Sequence, residues 1–210
     1  MKRPAALPRI VFVIPISAAV IAGLLAFKLT RRYEPAVEES AFDVRPAPLF
    51  MIEDQHSRMV RLASYIGRSK LLIVFFDGSR GPDHSELLSR LRDAYPEIHA
   101  TGAIVLAISA ARPSQNRYGA QLEHLKVDPS RAAAADVDEL RYPFPLLSDI
   151  LDYNEHRKYQ AFDERTGQPL EAVFVVDRAG LIQYAHLGPD ITPSKPDAAA
   201  DWVKELREVR

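Results

Sequence analysis

Two short runs of almost uninterrupted hydrophobe, residues 71–76 (LLIVFF) and 102–109 (GAIVLAIS), constrain the fold of this chain more than any other feature. A strand with one face in water alternates apolar and polar residues, whereas a strand covered on both faces does not. Neither run alternates, so each predicts a strand inside a layered domain. Between them, residues 83–95 place Leu87, Leu88, Leu91 and Tyr95 on one helical face. Helical signals follow at 114–125 and 131–140. Residues 142–147 (YPFPLL) carry two prolines and predict an edge or irregular strand. A weaker helical pattern covers 150–162. Residues 172–176 (AVFVV) and 181–186 (LIQYAH) flank Asp177-Arg178-Ala179-Gly180, the pattern of a β-hairpin. Trp202, Val203, Leu206 and Val209 form one stripe of a last helix, 198–209, and Trp202 is expected to seat it on the sheet. Strands alternating with helices, then a hairpin and a closing helix, predict an α/β sandwich with a mixed sheet.

A chain of 210 residues supplies the core of one such domain and is short for two. Cysteine is absent. A thiol redox cycle, a thiolate nucleophile and iron–sulfur ligation by cysteine are therefore excluded, while the compartment is left open. Residues 1–32 hold six Lys or Arg and no acid. Taking those six from the 27 basic residues leaves 21 against 28 acidic ones over 33–210, a balance that does not suit binding of a phosphate backbone. Nucleic acid is not an expected partner.

The basic N-terminal flank surrounds an uncharged stretch, residues 10–27. As a helix it would span about 27 Å, near the thickness of a bilayer's hydrocarbon core. Residues 1–32 are therefore expected to be a basic flank and a transmembrane anchor, 33–44 a tether, and 45–210 the folded domain. The alternative is a cleaved secretory signal, but no small-x-small site lies immediately before Lys28. The flanking charges, with Glu34, Glu38 and Glu39 beyond the span, favour a single-pass protein whose soluble domain is extracytoplasmic. Lys28, Arg31 and Arg32 leave the inverse orientation open.

Four fragments of the soluble part then carry a resemblance. Arg45-Pro46-Ala47-Pro48-Leu49-Phe50, Val60-Arg61-Leu62 with Tyr65-Ile66-Gly67-Arg68-Ser69-Lys70, Phe144-Pro145-Leu146-Leu147-Ser148-Asp149 and Ala172-Val173-Phe174-Val175-Val176-Asp177 with Gly180 and Ile182 occur in family order and spacing. Together they resemble the alkyl hydroperoxide reductase/thiol-specific antioxidant group of peroxiredoxin-like proteins. The resemblance covers about residues 45–188 and implies a thioredoxin-like (redoxin) three-layer sandwich, with a mixed central sheet and a C-terminal β-hairpin plus helix.

The departures from the family pattern fall on the active site. Phe75-Phe76-Asp77-Gly78-Ser79-Arg80-Gly81-Pro82-Asp83-His84 aligns with the family's F-Y-P-x-x-F-T-P-x-C stretch without a gap. Pro82 keeps the family proline, Gly81 replaces the threonine, and His84 stands in the place of the peroxide-reducing cysteine. The arginine that the family sets beside the thiolate corresponds to Glu171. Pro82, His84 and Glu171 thus mark a vestigial site, and the resemblance leaves no residue with a catalytic role. In the family, a helix N-terminus and a nearby arginine stabilise a thiolate. An imidazole cannot replace it, because sulfenate chemistry needs sulfur.

Asp77, Asp83, His84 and Glu86 also cluster within ten residues and could contact a ligand. Helix capping is the simpler account: Asp83 as N-cap, Glu86 three residues on as the reciprocal member of a capping box, and His84 as a first-turn residue. No metal site and no cofactor are expected. His56, His99, His124, His156 and His186 lack metal-binding spacing on a helix and are read as surface residues. Gly78-Ser79-Arg80-Gly81 lacks the spacing of a phosphate cradle, and no G-x-S-x-G elbow occurs.

The function expected from these features is a non-catalytic, membrane-anchored redoxin-like module that works through a protein partner. Two alternatives stand beside it: an antioxidant oxidoreductase role exerted with a cysteine-bearing partner, and ligand or metal binding in the altered pocket. Related redoxins often form homo-oligomers, which the resemblance implies without assigning contacts.

Overall fold

The two apolar runs become neighbours in space. In the computed structural model, which describes residues 44–119, 142–188 and 198–209, they form β4 (Lys70–Phe75) and β5 (Ala103–Ser109). These strands pair in parallel, with Leu72 opposite Val105 and Val74 opposite Ala107. The expected hairpin is β9 (Ala172–Val176) and β10 (Leu181–Leu187), and β9 lies antiparallel on the other side of β4. The sheet is therefore mixed. Its remaining strands are β1 (Arg45–Pro46), β2 (Met51–Asp54), β3 (Met59–Arg61) and β6 (Leu146–Ser148). The order across the sheet is β1-β10-β9-β4-β5-β6-β2-β3. A separate two-stranded ribbon joins β7 (Phe162–Asp163) to β8 (Gln168–Pro169). The described residues gather into one unit.

Both faces of the central strands are covered, which is why their sequences do not alternate. Leu72, Val74, Phe76, Val105 and Val175 meet Leu87, Leu88, Leu91 and Ile98 of α1 (Glu86–Ala100) and Trp202, Val203 and Leu206 of α4 (Ala198–Glu208). Leu71, Ile73, Phe75, Ile108 and Phe174 meet Phe50, Leu62, Tyr159 and Ala161 on the opposite face. Each fully buried aliphatic side chain contributes about 1.5–3 kcal/mol relative to exposure, so these two layers dominate the stability. The Lys70 ammonium adds a tie between layers, donating to the Leu206 carbonyl at 2.9 Å.

Four expectations need correction. The helix predicted from 83 begins at Glu86, because Ser85 is the N-cap and its hydroxyl accepts from Leu88 N–H at 3.3 Å. It also continues through Pro96 to Ala100, since Pro96 is exposed and Ile98 beyond it is fully buried and anchors the last turn. The stretch 142–147 was expected to be an edge or irregular strand, and β6 is no edge, since it lies between β5 and β2. Pro143 and Pro145 precede the strand and leave its ladder intact. The helix predicted over 114–125 appears as α2 (Pro113–Tyr118) and ends at Gly119, whose φ is 56°. The helix predicted over 131–140, the anchor and the tether lie outside the described residues.

Candidate functional site

The chain leaves β4 at Phe75 and re-enters regular structure at α1, and the connection holds most of the residues singled out above. Phe76 N–H still donates to the Ile108 carbonyl at 3.0 Å, so the loop proper starts at Asp77. Asp77 is exposed, and its carboxylate accepts from Ser79 N–H at 2.9 Å. Gly78 passes so close to β5 that an added Cβ would lie 2.7 Å from Ser109 Oγ and 3.0 Å from Ala111 Cβ. The Gln115 side-chain amide, on α2, donates to the Gly78 and Ser79 carbonyls, both at 3.1 Å. Gly81 turns the chain with φ of 98° into a single 3-10 turn, Pro82–His84. The Tyr142 hydroxyl closes the loop from the far side, donating to the Pro82 carbonyl at 2.9 Å.

Pro82 is buried in this turn, while the His84 imidazole is 47% exposed and 3.5 Å from the Asp83 carboxylate. His84 therefore precedes the helix rather than riding its first turn, and Asp83 does not cap it. Glu86 belongs to the first turn of α1 but pairs with Arg90 at 3.0 Å instead of reaching back in a capping box. Glu171 stands just before β9. The pairing of Phe75 with Ala172 sets it level with Phe76, at the root of the loop, and its carbonyl accepts from Gly188 N–H at 2.9 Å.

A cavity of about 270 Å³ opens where β4 and β5 end. Asp77, Ser79, Gln115, Tyr153 and Gln168 supply its polar lining. Of the ligand-contact and vestigial-site candidates named from sequence, Asp77 alone lines it; Pro82, Asp83, His84, Glu86 and Glu171 do not. The apparent cluster of four thus divides between a cavity wall and a helix start. Among the described residues, no three His, Asp or Glu side chains converge to hold a metal ion. The cavity can offer one carboxylate, amides and a phenol to a small polar molecule, but no sulfur.

The residues that sequence reasoning missed are buried polar ones. Asn116 of α2 is fully buried; its amide donates to Ser148 Oγ at 3.0 Å and its carbonyl accepts from Ser109 Oγ at 3.2 Å. This bridge locks α2 to β5 and β6. His156, expected at the surface, is completely buried on α3 (Asn154–Lys158). Its Nδ1 lies 2.7 Å from Asp149 Oδ2, which also accepts from Glu155 and His156 N–H at 2.9 Å each. The ring sits edge-on to Phe75 at 4.8 Å and to Tyr153 at 5.7 Å, and its Nε2 has no hydrogen-bond partner among the described residues. Of the other histidines, His56 and His99 are exposed, His186 is half-buried, and His124 lies outside the described residues.

The sequence model of the AhpC/TSA family matches residues 44–185, most of the described domain. The chain belongs to the AhpC/TSA family. It is 30% identical over 142 residues to alkyl hydroperoxide reductase E of Mycobacterium tuberculosis, covering 67% of this chain and 82% of that protein. It is 26% identical over 166 residues to peroxiredoxin Bcp of Escherichia coli, covering 76% of this chain and 93% of that one. Among solved structures, peroxidoxin BcpB from Mycobacterium tuberculosis superposes with a TM-score of 0.59 at 18% identity, over 80% of this chain and 97% of that chain. A thiol:disulfide interchange protein DsbE from Chlorobium tepidum superposes with a TM-score of 0.52 at 16% identity, over 78% and 94%. The AhpC/TSA domain thus has the thioredoxin-like redoxin fold that the four fragments implied.

Proposed function

We propose that this chain is a non-catalytic AhpC/TSA module, held at a membrane by its N-terminal segment and acting through contact with a protein partner. The observation that carries the reading is the complete absence of cysteine from a chain that keeps the family fold. Cysteine, threonine and arginine of the family site are replaced together by His84, Gly81 and Glu171. The polarity of the local charge is thereby inverted, with a carboxylate where a guanidinium would stabilise a thiolate. His84 is exposed at the end of a turn and free of the cavity lining, an arrangement suited to external contact. The uncharged stretch 10–27 between basic flanks supports the anchor, and the charge balance supports an extracytoplasmic domain.

Affinity capture from mild-detergent membranes tests this reading, with the full chain and His84→Ala as parallel baits. A stoichiometric partner lost with His84→Ala is the expected result. A partner held equally by both baits moves the contact elsewhere on the domain. Recovery of no partner, together with peroxide turnover by the pure chain, contradicts the reading.

The polar cavity supports a second one, in which the domain binds a small polar ligand between Asp77, Gln115 and Gln168. In that case Asp77→Asn changes ligand-dependent thermal stabilisation in a metabolite screen and His84→Ala does not.

A further inference from the structure

Sulfur is absent from the family's site, yet it is present elsewhere on the described surface in a concentrated form. The chain has three methionines, and Met51 and Met59 stand on the same hairpin. In β2 and β3, Ile52 and Val60 turn inward against the core, while Met51, Glu53, Met59 and Arg61 turn outward. The hairpin is set by Asp54, whose carboxylate accepts from His56 and Arg58 N–H at 2.8 and 2.9 Å. The register places Met51 opposite Arg61 and Met59 opposite Glu53, so both thioethers occupy one solvent-facing surface. They are 53% and 50% exposed.

Both also line a groove of about 280 Å³, together with Ile150 and Leu151 from the loop that follows β6. Four of the seven large exposed hydrophobic side chains of the described residues thus gather in one place. That is a patch rather than a scatter of single residues. Oxidation of a methionine turns a flexible apolar side chain into a polar one, and exposure governs how readily it occurs. Met51 has a further feature: Arg61 Nε already donates to its Sδ at 3.1 Å. An oxygen added to that sulfur would meet a charged donor in place.

We propose that Met51 and Met59 form an oxidation site, at which an oxygen-transferring two-electron oxidant converts both thioethers to sulfoxides and makes the groove polar. With hydrogen peroxide the step balances as one thioether plus one peroxide giving one sulfoxide plus one water. The sulfur loses two electrons and gains the S–O bond, the O–O bond breaks, and the second peroxide oxygen leaves as water with both protons. No reductant takes part, so the step is a modification and not a turnover. It is independent of the partner proposed above.

The full chain in mild detergent, treated with hydrogen peroxide and followed by peptide mass spectrometry, reads the two sites separately. Both are expected to oxidise within about threefold of the rate of N-acetylmethionine amide, because each is half exposed. In parallel, the methyl resonances of Ile150 and Leu151 are expected to shift on oxidation. A Met51→Leu/Met59→Leu chain, which keeps the groove apolar, should show no such shift. Oxidation more than about tenfold slower than the free amide at either site overturns the proposal. So do Ile150 and Leu151 resonances that stay in place after both sulfoxides form, or that shift equally in the double-leucine chain.

Discussion

The loop from Asp77 to Ser85 and the segment from Asp149 to Tyr159 hold similar side chains in opposite circumstances. The loop presents Asp77, Asp83 and His84 to solvent and is held chiefly through its backbone, by Gln115 and Tyr142. The later segment buries Asp149 and His156, and one Asp149 carboxylate oxygen collects three hydrogen bonds. An Asp–His pair at 2.7 Å in a dry interior suggests catalysis on inspection. Here it is architecture: Asp149 starts α3, and His156 fills the space beside Phe75. The exposed pair at 3.5 Å lies in the 3-10 turn that precedes α1. Polar chemistry alone therefore does not mark a site; burial and partners separate the two cases.

Substitutions can break that contrast. The largest loss is expected for Asp149→Ala, which strands two buried N–H groups and the imidazole and should cost about 3–5 kcal/mol in urea unfolding. His156→Ala follows at about 2–4 kcal/mol for the cavity it opens. His156→Leu should cost less than about 1.5 kcal/mol, since it removes the orphaned Nε2 and keeps the volume. A leucine variant as damaged as the alanine one would show that the imidazole's hydrogen bond, not its bulk, matters. In the loop, Gly78→Ala drives a methyl against Ser109 and should cost about 1–3 kcal/mol. Tyr142→Phe removes one hydrogen bond, worth about 1 kcal/mol.

Tyr142 also gives a pH signature. Burial holds its phenol above the ordinary value of 10.0, Arg92 opposing and Asp83 assisting. The fold thus favours the protonated phenol. That contribution is complete below pH 10 and fades as pH rises from there toward the folded-state value. Tyr142→Phe should flatten this part of the alkaline decline in stability. The smallest effect belongs to His84→Ala, within about 0.5 kcal/mol of the parent, as expected for an exposed residue outside the helix.

The centre of the fold was legible because burial on both faces leaves a direct trace, continuous hydrophobe at 71–76, 102–109 and 172–176. The hairpin turn was legible from Gly180, whose φ is 83°. The edge hairpin of β2 and β3 was not, because its outward face mixes Met51 and Met59 with Glu53 and Arg61 and blurs the period. At the site, position relative to the family pattern was readable, and local hydrogen bonding was not. Asp83 and Ser85 are both good N-caps; the choice fell to Ser85 because the 3-10 turn over Pro82–His84 delays the helix by two residues. Gln115 and Gln168 reach the cavity from elements distant in sequence, and His156 is buried by tertiary packing that no local spacing records.

Steady-state consumption of hydrogen peroxide by the purified full chain, with a dithiol reductant in excess, tests the non-catalytic reading most directly. The account predicts no turnover above the reductant blank, with uptake ending once the accessible thioethers are spent, at no more than three peroxides per chain for its three methionines. Sustained consumption beyond that stoichiometry, dependent on the reductant and abolished in His84→Ala, would contradict it and return the loop to catalysis.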